Sequence, residues 1–150
     1  MTDKEIVRTA KDYLTQISKT DRLIKRLQDT VSGLRSSLIS QNYALKQDIV
    51  QTSGPTNTLE STMSKVLELE EVIDSQIDDL LTSKKEATDL FEKVADLDQR
   101  NILTARYIQG KRWFVIADEV NYSISHVYKI HGQALLTFGK ILLNIEDNSF

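Results

Sequence analysis

The sequence predicts an all-α chain: a long antiparallel helical hairpin (coiled coil) followed by a C-terminal helix-turn-helix domain. Three observations carry that expectation. Apolar residues recur at alternating spacings of three and four over most of the chain, the periodicity of helices with one buried stripe. One proline, five glycines and 7% aromatics in 150 residues leave few breaks and little strand-forming material. Near the C-terminus, Gly110 and Asn121 punctuate the pattern and cut it into short helices.

Residues 2–48 hold no proline and a single glycine, Gly33. Ile6, Ala10, Tyr13, Ile17, Ile24, Leu27, Val31, Leu34, Leu38 and Leu45 form a heptad seam, with Thr20 and Gln41 as its polar members. Lys4, Arg8, Lys11, Lys19, Lys25 and Asp29 lie opposite and are expected to face solvent. The pattern stops at TSGPTN, residues 52–57, where Gly54 and Pro55 favour a turn over helix continuation.

The seam resumes at Leu59, Met63, Val66, Ile73, Ile77, Leu80, Ala87, Phe91 and Val94, with Thr58 as the expected N-cap. Two such helices joined by a short turn fold back antiparallel, with arms roughly 55–70 Å long at 1.5 Å per residue. One pair of helices covers little of its own apolar stripe, so a second copy is expected to complete a four-helix homodimer. Glu68, Glu70, Glu71, Asp74, Asp78 and Asp79 are expected to face Lys19, Arg22, Lys25 and Arg26 across the hairpin and to set its register. The expected organisation is an oligomerisation hairpin over 1–95 and a second domain over 96–150, begun by a cap at Asp96 or Asp98.

In that second domain Ile102, Leu103, Ile108, Phe114, Ile116, Ala117, Val120, Val127, Ile130 and Ala134 keep helical spacing. Gly110 is suited to ending one helix in the left-handed conformation. Asn121 tolerates the same conformation, and Ser123 is placed to cap the helix that follows. The small Ala117 lets two helices cross closely, Tyr122 plugs the turn, and Val127 and Ile130 anchor the second helix. Ile124, Ser125, His126, Tyr128 and Lys129 then remain for the outer face, the kind of N-terminal helix face that enters a major groove. Phe138, Ile141 and Leu142 extend this helix and pack back, while residues 146–150 form a tail.

The stretch YIQGKRWFVIADEVNYSISHVYKIHGQAL resembles the C-terminal domain of ArpU/RinA-like phage late-gene transcriptional regulators. That domain is in turn similar to region four of bacterial sigma factors. Tyr107, Gly110, Lys111, Trp113, Ile116, Ala117, Tyr122, Ser123, His126, Val127, Tyr128, His131, Gly132, Ala134 and Leu135 carry the likeness. The chain departs from the pattern at Phe114-Val115, usually acidic, and at Ile124, usually polar or basic. The resemblance implies double-stranded promoter DNA as partner, with bacterial RNA polymerase as a second one. It implies Ser125 and Lys129 at base edges, with Ile124 and Tyr128 against thymine methyls. Lys111 and Arg112 fall to phosphate, Ser123 to the cap at the edge of this face, and His126 to a phosphate or base edge. His131 falls to a phosphate contact or a partly packed position. An unperturbed histidine titrates near pH 6.5, so DNA affinity is expected to rise on mild acidification.

Composition bounds the alternatives. The absence of cysteine excludes disulfides and thiol chemistry. The two histidines lie five apart, which misses the spacing for a shared metal, and no phosphate-binding glycine loop is present, so neither enzyme activity, metal nor cofactor is expected. No apolar run of about 18 residues and no signal-peptide core appears, so no membrane partner and a location in the bacterial host cytoplasm are expected. The net charge of −3 is uneven, acidic over the first two-thirds and slightly basic from Arg100 to Lys140. Two other classes fit the same pattern, a small terminase subunit and a coiled-coil adaptor for RNA polymerase or another protein.

Overall fold

The computed structural model describes residues 1–47 and 53–145, with side chains over 1–40 and 58–145. Every regular element among them is helical: α1 (Asp3–Gln47), α2 (Ser53–Phe91), α3 (Leu97–Leu103), a π-helical turn (Thr104–Ile108), α4 (Trp113–Val120) and α5 (Ile124–Leu142). α1 opens with a capping box. The Glu5 N–H donates to Thr2 Oγ1 (3.2 Å) and the Thr2 N–H to Glu5 Oε2 (2.9 Å), which satisfies two donors at the helix start.

α2 differs from expectation at its start. The helix begins at Ser53 and contains Gly54 and Pro55, so Thr58 lies inside it and accepts from the Thr62 hydroxyl at 2.9 Å. Proline is tolerated in a first helical turn because its missing N–H has no partner there in any case. The turn expected at 52–57 thus shrinks from its C-terminal side; residues 48–52, like the tail 146–150, lie outside the described residues.

At the far end of α2, Val94 N–H bonds the Phe91 carbonyl (2.9 Å) and the Arg100 guanidinium donates twice to the Val94 carbonyl (3.1 and 2.7 Å). Asp96 caps α3 by accepting from the Gln99 N–H at 2.9 Å.

Packing divides the chain into two compact units, and the division is not at 95/96. The first unit joins Met1–Lys19 to Leu80–Phe150; the second is Thr20–Asp79. The reason lies in α5, whose C-terminal half needs the ends of both long helices. Phe138 is fully buried and meets Phe91 edge-on (5.2 Å) and Tyr13 at a tilt (5.8 Å). Next to it Gly139 lets α5 approach α1 closely. A Cβ there would lie 2.5 Å from Ile6 Cγ2 and 2.8 Å from the Ile6 carbonyl. Leu14, one residue off the expected seam, is fully buried, while Tyr13 is half-buried.

Among the described residues of the second unit, the buried ones are Ile24 and Val31 on α1 and Val66 and Ile73 on α2, each pair seven apart. That is a single column, flanked by half-buried Leu27, Leu34, Leu38, Leu69 and Ile77. An ion pair between the arms joins Arg35 to Glu70. Lys25, expected across the hairpin, is instead held by Asp21 on its own helix at 3.5 Å, since a partner one turn away needs no particular interhelical register.

Candidate nucleic-acid interface

α4, a three-residue turn and α5 form a helix-turn-helix whose local geometry follows from its sequence. Asn121 is left-handed (φ 59°, ψ 38°), and the Tyr122 N–H reaches back to the Ala117 carbonyl at 3.1 Å while the Asn121 N–H reaches Asp118 at 3.3 Å. This bond pair closes a helix over a left-handed residue. Ser123 is extended (ψ 154°), and its hydroxyl accepts from the His126 N–H at 3.2 Å, which starts α5.

The two helices are held by a buried cluster of Ile102, Ala105, Ile116, Ala117, Val127 and Ile130, with Trp113, Val120 and Tyr122 packed at its edge. Each large member contributes about 1.5–3 kcal/mol by leaving water. The Tyr122 hydroxyl donates to Asp98 Oδ2 at 2.8 Å and pins the turn to the start of α3. That hydrogen bond, with the negative charge of Asp98, raises the Tyr122 pKa above its usual value.

The expected site residues divide into two groups. Ile124, Ser125, His126, Tyr128 and Lys129 are exposed on the first turns of α5, with Ser123 at its cap. Arg112 is exposed at the N-cap of α4, where no side chain closes the helix end. The His126 ring stands edge-on to Tyr122 at 4.7 Å, and Tyr128 edge-on to Trp113 at 5.4 Å, so both rings have a wall behind them.

Lys111 and His131 are placed differently. Lys111 is half-buried, and its ammonium donates to both carboxylate oxygens of Glu119 at 2.9 Å, so its charge is offset within the motif. His131 is half-buried between two rings, stacked on Tyr107 (5.7 Å) and edge-on to Trp113 (4.5 Å). Its Nε2 shares a 2.7 Å hydrogen bond with the Tyr107 hydroxyl. Burial, then the charges of Lys11 and Arg106, lower its pKa to about 4, and burial raises that of Tyr107 to about 12. His131 is therefore neutral at physiological pH and packs inside the domain, one α-helical turn beyond Tyr128.

Arg106 is the site-forming residue that periodicity did not single out. Its guanidinium lies 4.6 Å from the Trp113 ring centroid and donates to the Lys111 carbonyl at 3.0 Å. Contact with the ring face is a favourable cation–π arrangement. It arises because the π-helical turn and Gly110 (φ 67°) turn the chain back between Arg106 and Trp113. A seven-residue spacing across such a turn carries no helical-face signal.

Exposed on the motif are the cations Arg112 and Lys129 and three apolar groups, Ile124 (41%), Tyr128 (47%) and Phe114 (61%). No three histidine or carboxylate side chains come together as a metal-ligand set among the described residues, and no described helix is long and apolar enough to cross a membrane.

No curated protein and no solved structure matches the chain. The model of a family of proteins of unknown function, DUF1492, matches residues 38–138, from the later part of α1 to all but the end of α5. That match covers more than half of the sequence and includes α4, the turn and most of α5, so this chain belongs to the DUF1492 family.

Proposed function

We propose that this protein is a DNA-binding transcriptional regulator, phage- or prophage-encoded and working as a homodimer in the bacterial cytoplasm. The N-terminal turns of α5 enter the major groove of promoter DNA. The observation that carries the reading is the Ser-capped start of α5 behind a left-handed Asn121, with Ser125 and Lys129 exposed on its first turns. In the groove, Ser125 and Lys129 reach base edges, and Ile124 and Tyr128 meet thymine methyls. Arg112 and the open N-terminus of α4 take phosphate. With Lys111 offset by Glu119, few cations remain for phosphate, so one head binds weakly and a second copy or RNA polymerase supplies the remaining affinity. The resemblance to late-gene regulators supports activation of late or packaging genes as the outcome.

A second reading is favoured by the exposed Phe114, Ile124 and Tyr128. In it the same face grips a protein, RNA polymerase included, and never touches DNA. A mobility-shift assay on sites enriched from random duplexes separates the two. Lys129→Glu is expected to abolish retention at low salt while leaving the helical circular dichroism unchanged. Equal retention of wild type and variant would move the assignment to the protein-binding reading.

A further inference from the structure

The hairpin of the second unit has two flanks, one on each side of its buried column. Its buried column is Ile24 and Val31 on α1 with Val66 and Ile73 on α2. Helix geometry sends residues four after a column position to one flank, and residues three after or one before it to the other. Arg35 is four after Val31, Glu70 is four after Val66, and the two form an ion pair. Equal offsets on the two antiparallel arms therefore share a side, which carries this ion pair together with half-buried Ile77 and exposed Met63. The opposite side receives Leu23, Leu27 and Leu34 from α1 and Leu69 and Val72 from α2. Leu23 and Val72 are 45% and 46% exposed, and the other three are half-buried. Five aliphatic side chains thus run along one flank of the two-helix layer, with nothing among the described residues of this unit to cover them.

We propose that a second copy of the chain packs on this flank, face to face, as an antiparallel four-helix bundle about a twofold axis beside Val72. This deepens the dimeric half of the proposed function and does not depend on its DNA half. Charge placement identifies the occupant. Lys65 and Asp79 belong to the same flank, and Val72 lies midway between them, seven residues from each. Both are exposed. They are about 21 Å apart along their helix, too far to pair with each other. When two copies of α2 run antiparallel past Val72, each Lys65 comes level with Asp79 of the other copy. A parallel arrangement in the same register sets Lys65 against Lys65 and Asp79 against Asp79. The flank is thus complementary to itself in one orientation, as a twofold interface requires.

Sedimentation equilibrium on the full chain over a range of concentrations tests this, with circular dichroism to confirm that the helices persist. The wild type is expected at twice its mass of 17.1 kDa. Lys65→Asp and Asp79→Lys should each weaken self-association at least tenfold. The double variant should return it to near the wild-type level, because the pair is restored across the axis and nowhere else. Val72→Asp, which sets two carboxylates together at the axis, should be monomeric. A monomeric wild type, a mass of many copies, single reversals without effect, or a double variant as weak as the singles would each overturn the inference. A mobility shift on the same samples keeps the two readings apart. A monomer that still retains DNA removes only the second-copy seat, and a dimer that retains no DNA removes only the DNA reading.

Discussion

The first unit takes its core from every one of its helices, whereas the second buries a single column along two. Phe138 of α5 is enclosed by Phe91 of α2 and Tyr13 of α1, so three segments distant in sequence depend on one ring. Ile73 in the second unit sits in its column with half-exposed Leu69 and Val72 close by. Charge separates the units as well. The first carries 13 basic and 12 acidic residues and is close to neutral, and the second carries six and ten and is acidic. The contrast teaches that the two units are stabilised by different means. One is held by interlocked side chains; the other gains from whatever covers its flank.

The largest effect expected to sharpen this contrast comes from truncating one core residue in each unit. Phe138→Ala should lower unfolding free energy by about 3–5 kcal/mol, since it empties the site where three segments meet. Ile73→Ala, on a column bordered by solvent, should stay near the lower bound of about 2 kcal/mol. Thermal and denaturant unfolding of the two variants checks this, and equal losses would erase the distinction.

A smaller effect should come from pH, and it belongs to the first unit alone. His131 has a folded pKa of about 4, against about 6.5 in the unfolded chain. Between those values the unfolded state takes up a proton that the folded state refuses. Stability is therefore full above about pH 6.5 and is lost as pH falls toward 4, by up to about 3 kcal/mol. In His131→Phe that part of the slope should vanish. Denaturant midpoints of both proteins across pH 4–7 measure it, and parallel curves would mean that the ring is wetter than its packing implies.

The smallest effect is a cap. Ser123→Ala removes the acceptor for the His126 N–H and should reduce stability by about 1 kcal/mol. It should also fray the first turn of α5, and so weaken DNA retention beyond what the stability loss explains. Hydrogen exchange at His126 and Val127 reads the fraying directly; unchanged protection there would show that Tyr122 and Val127 hold the turn without the hydroxyl.

Much of the motif was legible because its signals are local. A left-handed Asn121, a capping Ser123 and a small Ala117 each act within one or two turns of their own position, so spacing alone exposes them. The exposure of Ser125 and Lys129 follows from the burial of Val127 and Ile130 by the same periodicity. The helical start of α2 was not legible, because Gly54-Pro55 reads equally well as a turn and as a first helical turn. The Lys111 ion pair and the Arg106–Trp113 contact were not legible, and the packed position of His131 was one of two that the sequence allowed. Trp113 lies across Gly110 from Arg106, Tyr107 is 24 residues from His131, and Lys111 precedes α4, where no helical period ties it to Glu119.

The sequence by itself determined that the chain is helical, where its seams run and which turn joins α4 to α5, because propensity, capping and apolar spacing are properties of neighbouring residues. Only the tertiary structure decided that the ends of both long helices belong with the C-terminal domain, that His131 is packed rather than presented, and that Arg35 pairs with Glu70 across the hairpin. Those outcomes depend on which distant surfaces meet. A glycine such as Gly139 marks a close approach only once Ile6 has been brought against it.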